Sequence, residues 1–81
     1  LSEDVARGKP APDIFAAAIR QSAGAPEETL IIEDSLAGLR AAIDAGAWTA
    51  SVRSGARVDH PRFAGQWTDL GRLLDELGFP A

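Results

Sequence analysis

Three residues in this chain could do chemistry together. Glu33 and Asp34 stand side by side after the apolar run "TLII", and Lys9 lies two dozen residues earlier in "GKPAPDIF". Two adjacent carboxylates repel each other, and a divalent cation relieves that repulsion; hard oxygen donors of this kind suit magnesium. Adjacent side chains on a regular strand point to opposite faces, so both can meet one ion only where the chain turns between them. Ser35, a good helix N-cap, supplies such a turn. The plainer alternative is that the acidic pair only complements the positive end of a helix dipole. Lys9 is the sole lysine among eight Lys and Arg residues. Taken alone it reads as a solvated loop charge, but a cation facing a carboxylate–metal cluster gains a purpose if a phosphoryl group lies between them.

The elements between these residues decide whether they can meet. Pro10 pushes Lys9 toward extended geometry, and Pro12 with Asp13 suits a first helical turn. Ile14, Phe15, Ala18 and Ile19 recur at helical spacing, which predicts a helix over 12–23 with Gly24 as its C-terminal cap. Thr29 to Ile32 read as a buried parallel strand. Ser35 then opens a helix that carries Leu36, Leu39, Ala42 and Ile43 inward and stops at Gly46, and "AWTASV" follows as a second strand. Arg53 to Gln66, with Arg53, Arg57, His60, Pro61 and Arg62, shows no clear period and reads as an irregular surface excursion. Its basic residues are either solvated or within reach of an anionic substrate. Thr68 or Asp69 opens a last helix with Leu70, Leu73, Leu74 and Leu77 on one face and Gly78 as its stop. Trp48 and Trp67 read as hydrophobic cover, and Asp44 as exposed.

Helices alternating with strands indicate an α/β fold with a parallel sheet. In such sheets the carboxyl ends of the strands share one edge, where ligands bind, so Lys9, Glu33 and Asp34 can converge there. Two strands with three helices leave the sheet short of partners, because "TLII" reads as a central strand. Either strands from an N-terminal portion outside these residues complete it, or the fold differs.

Composition narrows the partners. The 81 residues hold no cysteine, which excludes a disulfide scaffold or Cys-based zinc site, and the formal net charge of −4 argues against nucleic acid. No apolar run approaches the roughly 20 residues that cross a bilayer, and the N-terminus lacks signal-peptide layout. A soluble, cytoplasmic protein is expected. A chain starting with Leu1 also suggests a start further upstream.

"GKPAPDIF" followed by "LIIEDSLAGLRAAIDAGA" closely resembles the third and fourth motifs of the haloacid dehalogenase superfamily, in the branch of phosphoglycolate phosphatase and β-phosphoglucomutase-like enzymes. The resemblance covers about residues 5–52 in motif type, order and spacing. It implies that 1–81 is a partial core domain, the C-terminal portion of a Rossmann-like parallel-sheet fold without its N-terminal strands and cap domain. Lys9 would stabilise the charge of nucleophile and phosphoryl group, and Asp34 would bind Mg2+. Glu33 would be a second ligand, directly or through water, and Ser35 would support the cluster. The substrate would be a small phosphorylated metabolite, hydrolysed through an aspartyl-phosphate. A last small strand would fall near Trp67. The nucleophile and general acid/base of the family belong to a D-x-D-G-T type motif, and no such sequence occurs here, so the chain alone is expected to be inactive and to need the missing part of the same core. Phosphate-ester hydrolysis is favoured over dehalogenation because true dehalogenases of the superfamily need no magnesium. A phosphosugar mutase and a non-catalytic module of the same fold are the alternatives. A receiver-type signalling domain also pairs acidic residues with a Lys-Pro, but in the reverse order.

Overall fold

The computed structural model describes residues 13–79. Three parallel strands, β1 (Leu30–Glu33), β2 (Trp48–Val52) and β3 (Phe63–Trp67), form one sheet in that order. Helix α1 (Asp13–Gln21) and a 3-10 turn (Pro26–Glu28) precede β1, α2 (Leu36–Asp44) connects β1 to β2, and α3 (Leu70–Leu77) follows β3. The α/β class and the parallel sheet expected from the sequence are both present.

The first helix is shorter than its periodic pattern and buries Ala17 and Ile19, while Ala18 stays exposed. The left-handed residue after it is Ala23, with φ 62°, so Gly24 is not the terminating position. Helix α2 follows the expected plan at both ends. Its N-cap Ser35 is extended, and Gly46, at φ 94°, donates its N–H to the Ile43 carbonyl. Leu39, Ala41, Ala42 and Ile43 are buried, whereas Leu36 is 40% exposed. That placement corrects Leu36 as an inward residue. It sits one position after the cap, in the first turn of the helix.

Strand β3 is the largest correction. Residues 53–66 are not wholly irregular, because Phe63 to Gln66, together with Trp67, extend along β2. The register slips by one residue: Thr49 pairs with Phe63 and Ala50 with Gly65. Gly65 takes φ 138° there, and the Trp67 ring would lie 3.2 Å from any Cβ added to it. A strand with a glycine in its middle and one apolar residue at each end has little propensity of its own. It forms because β2 offers a row of backbone partners, and the resemblance-based expectation of a small strand near Trp67 is met.

The core divides across the sheet. Ala50 and Val52 of β2 pack with Leu73 of α3, flanked by Ile32 and Trp67. Thr49 and Ser51, pointing the other way, are fully buried. The Thr49 hydroxyl donates to the Ile31 carbonyl at 2.9 Å, while the Ser51 hydroxyl has no partner among the described residues. Trp67 is half-buried and donates its indole N–H to Glu76 at 2.7 Å. Trp48 is 43% exposed, which corrects its assignment as cover. Asp44 is exposed, as expected.

Within the described residues β1 lies at the edge of the sheet, and Leu30 is 37% exposed. The expectation of a central strand is therefore not met by these residues alone. No helix among them is long and apolar enough to cross a membrane.

Candidate active site

The site is built where β1 ends. Glu33 is the last residue of the strand, Asp34 follows it, and Ser35 caps α2. Ser35 sits at φ −126° and ψ 150°, and its Oγ accepts from the Gly38 N–H at 3.0 Å. This cap satisfies one of the orphan donors of the first helical turn and sets the change of direction between strand and helix. The chain bends at Asp34 and Ser35, directly after the strand.

Glu33 is half-buried, and its side chain lies against the backbone of Gly38. A Cβ added at Gly38 would collide with the Glu33 carboxylate and stand 2.9 Å from its Cγ. Glycine at this helical position therefore makes the room in which Glu33 lies. Gly38 was not singled out as a site residue in the sequence. Its signal was a glycine inside a helical pattern, which usually has a packing or functional reason.

Asp34 is more open. Its carboxylate Oδ2 is 3.2 Å from Nη2 of Arg53, in an ion pair whose side chains are 52% and 71% exposed. Arg53 follows β2 directly, so the pair joins the carboxyl ends of two neighbouring strands. A cavity of about 190 Å³ lies there, lined by Ile32, Glu33, Asp34, Val52 and Arg53. The largest of the described cavities, about 710 Å³, lies toward α3 and shares Arg53 with the small one, but includes neither carboxylate. The large cavity has Arg72, Asp75 and Glu76 in its wall, whereas the small one holds both residues of the acidic pair and is the candidate site.

The basic residues of 53–66 take different roles. Arg53 reaches the acidic pair. Arg62 instead donates from Nε to the Ala47 carbonyl at 3.1 Å and from Nη2 to the Ile43 carbonyl, tying the segment before β3 to the C-terminal end of α2. The His60 Nδ1 accepts from the Arg62 N–H at 3.0 Å, which shapes the turn into β3. Arg62 and His60, both half-buried, thus bond backbone groups around the start of β3, and neither lines the small cavity. Lys9 lies outside the described residues.

The donor set fits a small hard cation. Two carboxylates from adjacent residues, with a turn between them, match the way magnesium is held by one or two carboxylates while keeping waters and phosphate oxygens. The partnerless Ser51 hydroxyl is in register with Glu33 across the β1–β2 ladder, on the same face of the sheet. No group of three or more His, Cys, Asp or Glu residues able to hold a metal occurs among the described residues. The acidic pair could supply two of the oxygen donors that such an ion takes.

A family model for haloacid dehalogenase-like hydrolases matches residues 1–46. The chain is similar to Protein CbbY of Cereibacter sphaeroides, at 46% identity over 77 residues, covering 91% of this chain and 31% of that protein. It is 39% identical over 59 residues to a bifunctional riboflavin kinase/FMN phosphatase of Arabidopsis thaliana, covering 73% of this chain and 16% of that one. The chain thus spans a third or less of these curated relatives. A HAD family hydrolase from Deinococcus radiodurans R1, solved with bound phosphate and sodium, superimposes with a TM-score of 0.71 at 31% identity, covering 88% of this chain and 34% of that structure. With a family match over more than half its length and sequence relatives well above 30% identity, the chain belongs to the haloacid dehalogenase-like hydrolase family.

Proposed function

We propose that the chain is the cation-binding part of a magnesium-dependent phosphatase, completed by an aspartate nucleophile elsewhere in a longer protein. The observation that carries this reading is the Glu33–Asp34 pair at the carboxyl end of a parallel strand, turned by the Ser35 cap into one small cavity. The phosphatase among the similar proteins and the phosphate bound in the similar Deinococcus structure support phosphate-ester chemistry.

In this reading Asp34 and Glu33 hold Mg2+, which when bound would neutralise charge on phosphoryl oxygens. Ser35 orients the turn that presents Asp34. The Gly38 cradle keeps the Glu33 carboxylate against the start of α2. Lys9 would offset the negative charge that develops on the phosphoryl group. The substrate is a small phosphorylated metabolite, and the resemblance supplies an aspartyl-phosphate route with water as acceptor. The 81 residues alone are then inactive.

Hydrolysis of an aryl phosphate by the full-length protein tests this. Turnover should require Mg2+, stop on chelation, and fall by about a hundredfold or more in Asp34→Asn and in Lys9→Ala. Residues 1–81 alone should show none. Activity that survives chelation or Asp34→Asn, or turnover by 1–81 alone, would contradict the proposal.

A further inference from the structure

The Arg53–Asp34 pair raises a question the metal reading leaves open. A guanidinium already occupies one oxygen of the more exposed carboxylate, at 3.2 Å. We propose that Arg53 is the resident counter-ion of Asp34, that a divalent cation engages this carboxylate only by displacing it, and that Arg53 thereby sets the metal affinity of the site. The inference rests on the metal-binding reading and deepens it.

Three observations carry it. First, Arg53 has φ 69°, a left-handed conformation that a bulky non-glycine residue rarely adopts. It is held there from both sides: its own N–H donates to the Trp67 carbonyl at 3.1 Å, and the next N–H, of Ser54, donates to the Val52 carbonyl at 2.8 Å. The backbone break stops the alternation of β2 at Val52, and the side chain runs back to the end of β1. Second, Arg53 is a shared wall. It lines the cavity with both carboxylates, the large cavity toward α3, and an apolar cavity of about 530 Å³ with Asp69, Leu70 and Gly71. A released guanidinium therefore has open space on either side. Third, its side chain is 71% exposed, so leaving Asp34 uncovers no buried charge.

Electrostatics sets the direction and size. A guanidinium and a divalent cation on one carboxylate repel each other, so binding of one disfavours the other. Exposed ion pairs are weak and easily exchanged, which limits the competition to about two- to fivefold in affinity.

The test is Mn2+ binding to the full-length protein, followed by the electron paramagnetic resonance of free Mn2+. Arg53→Gln should bind about two- to fivefold tighter than wild type, and Arg53→Lys, which keeps the charge, should stay within about twofold of wild type. Arg53→Gly, which relieves the left-handed backbone, should reproduce the gain of Arg53→Gln and so separates charge from folding. The gain should vanish when Asp34→Asn is also present. Unchanged or weaker binding in both Arg53→Gln and Arg53→Gly, or a gain that persists alongside Asp34→Asn, overturns the role of Arg53 alone. If Asp34→Asn by itself leaves Mn2+ affinity unchanged, the metal reading fails and the proposal falls with it.

Discussion

On the face of the sheet that α2 covers, Leu39, Ala41, Ala42, Thr49 and Ser51 are fully buried. On the face that α3 covers, Leu73 is the one buried residue of its helix, and Leu70 and Leu77 remain 47% and 50% exposed. The two acidic residues divide along similar lines. Glu33 lies on the dense side, in room made by Gly38, and Asp34 stands beyond the strand, held by an exposed arginine. The contrast teaches that one carboxylate is positioned by packing and the other by a weak charge pair that can exchange.

The contrast can be broken most forcefully at its packed side. Leu39→Ala removes a side chain with no exposed surface and should destabilise the protein by about 2 to 5 kcal/mol, whereas Leu77→Ala should cost less than about 1 kcal/mol. Urea denaturation followed by circular dichroism checks both. Equal losses would mean that the two faces are finished alike.

Gly38→Ala sharpens the comparison, because stability and function should part. Alanine raises helix propensity by up to about 1 kcal/mol, and the atoms it meets belong to the flexible end of Glu33, so the urea midpoint should change little. The displaced carboxylate should nonetheless weaken Mn2+ binding by about tenfold or more, the scale seen when the support of a metal ligand is removed. Unchanged Mn2+ affinity would show that the cradle does not position Glu33 for a cation.

Much of this was legible in the residues. The cap at Ser35, the stop at Gly46, the first two strands and the placement of Glu33 and Asp34 at a carboxyl end all follow from local signals that the tertiary structure keeps. Strand β3 was legible only through the resemblance and not in its local signals, because "FAGQW" owes its conformation to a partner strand and a register slip. The end of α1 was misplaced by two residues since Ala23 takes the left-handed position that glycine favours. Arg53 could be named only as one of several basic residues in a loop. What singles it out is a positive φ and an oxygen 19 residues away, and neither leaves a periodic trace. Leu70 and Leu77 show the converse limit: helical spacing marks an apolar face without saying how much of it is covered.

The central claim is that the acidic pair at the end of β1 holds a divalent cation. Anomalous diffraction from crystals of the full-length protein soaked in Mn2+ tests it most directly. A peak within coordination distance of the Asp34 carboxylate, with Glu33 bound directly or through water and the Arg53 guanidinium moved off Asp34, is the expected result. A bound Mn2+ elsewhere, or none with the Arg53–Asp34 pair intact at saturating Mn2+, would contradict it.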